Sequence, residues 1–570
     1  MKPIRITVFH LIVLAILVIT LFPSHKTAIA AGMNFVVNST LDEEDQDKED
    51  LICLTASGAC TLRAAIQQSN AYPGPATITF SITPKLILDR VITLSSALPT
   101  IDEEITIQGP NTLGGAIIIN GSGISAHGLE ILEEAINVTI SDIKITNFGK
   151  SGINIDGADN VTISNCVIGP YSGLLSYPGN AWRGITIINA NGAQILNNVI
   201  AGNGSPTSDG SGIRIDLGGS HTIKGNRIGT DSLGNSAQPN TGSGINIFGS
   251  SNNVIGGRLA TDRNVISGNG GNGIAIVSGY YGGGGTYYES TANLVIGNFI
   301  GTDLSGTISL ANGSDGINLS LDVNTIIGGS AAGDGNLISG NRGAGIQTGG
   351  KSTTIRGNAI GTDASRTAAI PNTSGIVTYG QEGILIGGIS SSESNTIAYN
   401  TKDGIYINYS SFNKQIKGNA IYENGGLGIN LIADSDEAAL DYSKVTPNDP
   451  GDSDIGGNQL QNFPIITSAD YAGTTSVTVK GYLNSSPSSL FILHFYGNDE
   501  CDPSGYGEGQ VYLGLTDVTT NPSGLASFTK MLSIPKEFDC ISVTAMDYMG
   551  NTSEFSSSGM NFIYLPLLLK

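Results

Sequence analysis

Charge is scarce in this chain. Only 13% of its 570 residues are Asp, Glu, Lys or Arg, where an ordinary globular protein carries roughly a quarter. Within that share, 48 acidic residues outnumber 27 Lys and Arg, for a net charge of −21. A chain so short of cations has little with which to neutralise phosphates, which disfavours nucleic acid and anionic membranes as partners. The 5 cysteines never fall in CxxC or Cys/His spacing, so no motif has the form of a zinc site. Beyond residue 30 no apolar run is long enough to span a bilayer as a helix, so no transmembrane anchor is expected in the mature chain. Aromatic residues are 6% and tryptophan occurs once, yet 39% of the chain is hydrophobic. That combination argues against disorder and for many short aliphatic strands.

What is abundant is glycine, at 79 residues. The N-terminus is a different composition again. Lys2 and Arg5 precede the apolar run "ITVFHLIVLAILVITLF", and "AIA" at 28–30 offers a small-residue cleavage site. Residues 1–30 therefore read as a signal peptide, and the protein as secreted, extracellular or cell-surface. In an oxidising compartment Cys53 with Cys60, and Cys501 with Cys540, read as two local disulfides. Cys166, inside "VTISNCVIG", reads as a small buried hydrophobe.

Internal repetition is the strongest signal. A Gly-Ile phrase recurs as "GINI" at 152, "GITI" at 184, "GIRI" at 212, "GINI" at 244 and "GIAI" at 273, and continues to "GINL" at 428. Two further beats fall in each interval, such as "HTIKGN" and "RIGTD". Three short strands per turn, with period-2 aliphatics and Gly or Asn at the corners, describe a three-faced parallel coil. Such turns are stable only when stacked. A longer period is superposed: "GNRIGTD", "GNFIGTD" and "GNAIGTD" begin at 225, 297 and 357. The first gap exceeds the second by the length of "GYYGGGGTYYES" at 279–290, which reads as a loop inserted into one turn. The aspartates that close those phrases, Asp231, Asp303 and Asp363, read as corner residues bonding their own turns.

This phrasing, across roughly residues 140–430, resembles the exported bacterial right-handed β-helix repeat proteins. "CLTASGACTLRAAIQQSNA" resembles the CSLREA-type domain found ahead of such arrays, although it reads "CTLRAA" where that signature has Ser and Glu. Thr61 is a plausible N-cap there, with Leu62, Ala65 and Ile66 lining one face of a short helix. After about residue 432 an acidic connector gives way to closely spaced strand-like runs, and "AMDYMGNTSEFS" resembles the last strand of bacterial immunoglobulin-like repeats. The expected organisation is a capping region over 31–105, a right-handed parallel β-helix with three strands per turn over 106–431, and an acidic linker over 432–462. An antiparallel β-sandwich follows over 463–558, then an apolar tail over 559–570.

Catalytic β-helices of the lyase and glycosidase type use calcium clusters, or paired Asp residues with His and a cationic pair. Here His127, His221 and His494 are the histidines beyond the signal peptide, and no adjacent Asp pair falls on a strand beat of the array. Asp216, Asp315 and Asp403 flank strands and read as solvated. Tyr280, Tyr281, Tyr287 and Tyr288 flank the glycine run of the insertion. They suit either stacking against sugar faces or folding back over the coil's flank. Trp182 joins such a platform or fills a corner. In the connector, Asp449, Asp452, Asp454 and Asn458 offer hard oxygen ligands, so the sequence leaves open a calcium site beside a plain solvated linker. The resulting expectation is a non-catalytic surface protein binding polysaccharide or a cell-surface glycan. The alternative is a lyase or glycoside hydrolase acting on an acidic polysaccharide.

Overall fold

A computed structural model describes residues 32–557, apart from 73, 84–89, 111–115, 173–175, 282–283, 381–382 and 434–443. The expected signal peptide and the whole of the expected apolar tail lie outside the described residues, as does part of the acidic linker.

Among the described residues, short strands form three parallel sheets of 13, 12 and 11 strands. Sheet 1 runs from Met33–Val37 to Lys414–Lys417, sheet 2 from Val91–Thr93 to Ala420–Tyr422, and sheet 3 from Leu129–Ile131 to Ile429–Leu431. Successive strands along the chain step from one sheet to the next, and each sheet pairs the same beat of neighbouring turns. In sheet 3, for example, Ile185, Ile213, Ile245 and Ile274 are register partners in turn. This is a parallel β-helix with three strands per coil, and parallel crossovers of this kind are right-handed. The first strands of sheets 1 and 2 fall within 31–105.

The interior is an aliphatic ladder. Ile155, Ile187, Ile215 and Ile247 are all fully buried and belong to one core that continues from Phe35 to Phe555. The Gly of each Gly-Ile phrase is required by this stacking. At Gly212 a Cβ would stand 2.7 Å from the Gly244 carbonyl oxygen and 2.9 Å from the Asn240 amide nitrogen. No larger residue fits.

The recurring asparagines are buried, and they form ladders. One runs from Asn198 through Asn226, Asn264, Asn298, Asn336, Asn358 and Asn395 to Asn419, each Nδ2 donating to the next Oδ1 at 2.8–3.0 Å. A second runs from Asn180 through Asn269 and Asn312 to Asn424. Each rung also serves the backbone: Asn312 Nδ2 donates to the Ile266 carbonyl, and its Oδ1 accepts from the Asn269 N–H. Amides that are satisfied on every side can be buried at the corners, where a lost partner would cost about 1–3 kcal/mol.

The short helix α1 (Leu62–Ala71) lies between the first two strands of sheet 1. Thr61 caps it by accepting from the Ala64 N–H. Leu62, Ala65 and Ile66 join the coil's core, and its buried Arg63 pairs with Asp42 at 2.8 Å. Disulfides join Cys53 to Cys60 and Cys501 to Cys540, and Cys166 is buried. Burial pushes the Cys166 thiol up to about 12, which keeps it protonated and inert.

At the far end two antiparallel three-stranded sheets, Ile465–Tyr471 with Ser476–Asn484 and Leu525–Ser533, and Leu490–Asn498 with Val511–Thr519 and Cys540–Met546, enclose their own core. This unit closes the open edge of the last coil. Ile421 exchanges both backbone hydrogen bonds with Gly509. Ile416 N–H donates to Thr552 Oγ1 and Gly418 N–H to the Tyr496 hydroxyl. Leu431 N–H donates to Glu554, while Glu508 accepts from Glu423 and Asn424, taking the place of the next ladder amide. An edge that would otherwise template aggregation is thereby paired.

Candidate functional site

The GTD aspartates are consumed locally. Asp303 Oδ1 accepts from the N–H groups of Thr307 and Ile308, and Ser305 Oγ donates to Oδ2 at 2.6 Å. Asp363 repeats this with Thr367, Ala368 and Ser365, and Asp231 accepts from Asn235 and Ser236. The Ser365 hydroxyl, with backbone donors, holds the Asp363 carboxyl down at about 2. The loops also stack two coils apart: Ala364 N–H donates to the Gly306 carbonyl at 2.9 Å. Gly306 sits at φ +70 with the Ala364 Cβ 2.8 Å from where its own would be, so the packing needs glycine. These acids are corner residues.

Asp216, Asp315 and Asp403 are buried, contrary to the solvated positions expected from their place beside strands. Asp315 accepts from Ala344 N–H and Asn318 Nδ2, and Asp403 from Leu427 N–H and Asn430 Nδ2. Asp315 and Asp403 tie one coil of sheet 3 to the next, whereas Asp216 pairs with Arg214 on its own strand.

The tyrosine insertion follows a strand of sheet 3, Ile274–Val277. The 279–290 insertion is a hairpin, Gly279–Tyr280 against Tyr287–Tyr288. Tyr280 and Tyr287 meet edge to face at 5.2 Å and stand 63% and 40% exposed. Tyr281 instead turns back, 5.8 Å from the Phe248 ring and 6.5 Å from Tyr288. Tyr281 is still 38% exposed, so the hairpin rests on the coil's flank through Phe248 while keeping ring surface in solvent.

Trp182 lies on the same face, linked to the hairpin by a chain of contacts. Its ring has the Arg183 guanidinium at 5.9 Å and His127 at 6.4 Å. Arg183 pairs with Asp209 at 2.9 Å, Arg214 reaches Asp209 at 3.8 Å and Asp216 at 2.6 Å, and Arg214 lies 5.9 Å from the Phe248 ring under Tyr281. Trp182 precedes the coil strand Ile185–Ile188 and the hairpin follows Ile274–Val277, three register steps away. At one strand spacing per coil the strip is about 14 Å long. The ion pairs fix the two guanidiniums over aromatic rings, where cation–π attraction adds to the packing.

The electrostatics of the strip do not favour proton transfer. Burial alone would raise the Asp209 carboxyl, but the Ser211 hydroxyl and the charges of Arg183 and Arg214 outweigh it and hold it below the usual range. Burial, with Lys150 and Arg183 nearby, pushes His127 down to about 4, leaving its imidazole neutral at pH 7. A glycosidase acid needs the opposite perturbation. A groove of about 540 Å³ between Lys144, Tyr171 and the loop containing Asp231 and Gln238 lies on sheet 2, away from this strip.

In the connector, Asp449, Asp452 and Asp454 bring one carboxylate oxygen each within 4.8 Å of one another. Asp449 also accepts from Ser453, and Asp452 from the Asn462 N–H and Ser485 Oγ. Burial, reinforced by Asp454 and Asp449, pushes Asp452 up to about 6. Asn458 does not join them. It is fully buried, accepting from Lys414 N–H and donating to the Lys414 and Thr552 carbonyls, so its amide serves the end cap.

No protein-family profile matches the chain, and no curated protein matches it. Among solved structures it is similar to the Dettilon tailspike protein gp208, at 16% identity over 83% of this chain and 90% of that one, with a TM-score of 0.42. It is also similar to tailspike protein 2 of the Escherichia coli O157:H7 bacteriophage CAB120, at 11% identity, covering 88% and 66%, with a TM-score of 0.37. A third is the DFA-IIIase of Arthrobacter chlorophenolicus A6, at 12%, covering 62% and 81%, with a TM-score of 0.28. The strand register itself, rather than these distant likenesses, defines the coil.

Proposed function

We propose that this is a secreted or cell-surface protein that binds polysaccharide along the sheet 3 strip, without cleaving it. The observation that carries the reading is the contact chain from Trp182 through Arg183, Asp209 and Arg214 to Phe248 and Tyr281. It offers rigid ring faces for sugar planes, with fixed hydrogen-bonding groups between them, and the exposed Tyr280 and Tyr287 extend it outward. The carboxylates in the strip are bound by arginine, which supports recognition over acid–base chemistry. The antiparallel unit at the end of the coil is proposed as an immunoglobulin-like attachment module, and the segment around α1 as a CSLREA-like region.

The test is retention of the full chain on a panel of immobilised neutral and acidic polysaccharides. Reducing and unsaturated ends are assayed in the flow-through. Calcium and chelator arms are included, because Asp449, Asp452 and Asp454 are hard oxygen ligands. Retention without new ends is expected. Release of either kind of end establishes the hydrolase or lyase reading instead.

A further inference from the structure

Asp322 follows the sheet 3 strand Ile317–Ser320 and points into the coil. It is fully buried, and neither of its carboxylate oxygens has a hydrogen-bond partner. The hydroxyls of Thr325 and Thr353, also fully or almost fully buried, are likewise without partners. These oxygens share one corner. A Cβ placed on Gly350 would collide with Asp322 Oδ1 and stand 2.8 Å from Thr353 Oγ1. The register explains why they converge. Val323 bridges to Lys351 and Leu294–Ile296 pairs through Ile326–Gly328 to Thr354–Arg356, so residues 322 and 325 stack directly on 350 and 353.

The neighbouring corners show what is unusual. One coil earlier, Ser290 occupies the bridge-flanking position and uses its hydroxyl on the Val277 carbonyl, and Asn293 donates to the Ser250 carbonyl. Those polar groups are satisfied by the protein. At Asp322 the same inward corner carries a carboxylate and the next coil supplies only glycine, and the Thr325 and Thr353 hydroxyls lie close enough to favour the charged carboxylate without closing a well-formed hydrogen bond to it. Leaving an ionised carboxylate unpaired in such surroundings is among the costliest arrangements available to a folded chain.

We propose that Asp322, Thr325 and Thr353 form an internal site for a monovalent alkali cation, with Gly350 leaving the room it needs. The donor set is hard oxygen throughout, which suits alkali and alkaline-earth ions and not zinc or copper. Charge selects between the first two. One carboxylate neutralises one positive charge, whereas a divalent ion would leave a net charge uncompensated in the interior. Burial holds the free Asp322 carboxyl up at about 6, offset in part by the two threonines. The ion therefore competes with a proton for the same oxygens.

The experiment compares thermal unfolding of the full chain in sodium chloride and in choline chloride. Ionic strength and pH 7.5 are held equal, and chelator keeps divalent ions out of the Asp449 cluster. Choline is too large for the corner. The wild-type midpoint is expected to be higher in sodium by roughly 2–4 °C, the response of a chain stabilised by one bound ligand. Asp322→Asn should show the same midpoint in both salts. Because that variant depends on folding, rubidium retained by the wild-type chain after gel filtration gives a second reading, and a stoichiometric amount is expected. Equal wild-type midpoints, a salt response that persists in Asp322→Asn, or absence of retained rubidium overturns the site and leaves a protonated carboxyl.

Discussion

The coil around Asn312 and the hairpin around Tyr281 occupy neighbouring turns of one β-helix and follow opposite rules. At Asn312 both ends of the side-chain amide are matched by the coils before and after it, and the side chain cannot change without cost to its neighbours. The hairpin adds twelve residues to a single coil, leaves Tyr280 and Tyr287 in water, and is bonded chiefly to itself. Stability resides in what repeats, and the proposed recognition draws its most exposed rings from what interrupts the repeat. The register on either side of the insertion is unbroken, which is why the coil tolerates it.

That contrast breaks most visibly in the ladder. Asn312→Ala removes two donors and an acceptor from a buried row and should lower the unfolding free energy by about 3 kcal/mol, measured as a fall in the urea midpoint. Binding at the strip should be unchanged. The end cap comes next, read through pH. Burial pushes Glu508 up to about 7 from an ordinary 4.5, despite the Glu423 and Asn424 N–H groups that it accepts. A carboxyl raised on folding contributes stability that is full below the unfolded value and is lost as pH climbs to the folded one. Melting temperature should therefore fall between pH 4.5 and 7, and Glu508→Gln should flatten that slope. A slope unchanged in the variant assigns it to other groups.

At the hairpin the expectation reverses. Tyr281→Ala or Trp182→Ala should weaken polysaccharide binding by roughly threefold to tenfold, the value of one stacked ring, while the urea midpoint falls far less than in Asn312→Ala. The smallest effect belongs to the repeat corners. Ser365→Ala should raise the Asp363 titration from about 2 toward 3.8, visible by carboxyl NMR, with no change in binding.

Much of the coil was legible because its constraints are periodic. The Gly-Ile phrase marks the one beat where a Cβ meets the next coil's carbonyl, and the GTD phrase marks a loop that its own aspartate closes. The direction of the asparagines was not legible, since a corner Asn reads alike whether it faces water or another Asn. The same ambiguity hid the burial of Asp216, Asp315 and Asp403. Asn458 looked like a ligand by its acidic neighbours, but its partners Lys414 and Thr552 are 44 and 94 residues away. The strip was half legible. Its aromatics stood out singly, whereas the arginines joining them sit in Gly-Ile strands that look like any other coil, and only the register places them in one line.

The most direct test of the central claim is a calorimetric titration of the wild-type chain and a Trp182→Ala/Tyr281→Ala variant. Each is titrated with whichever polysaccharide the panel retains, and the products are assayed for new ends. The account predicts binding by the wild-type chain, loss of most of it in the variant, and intact polymer in both. Undiminished binding by the variant, or new chain ends with the wild-type protein, contradicts it.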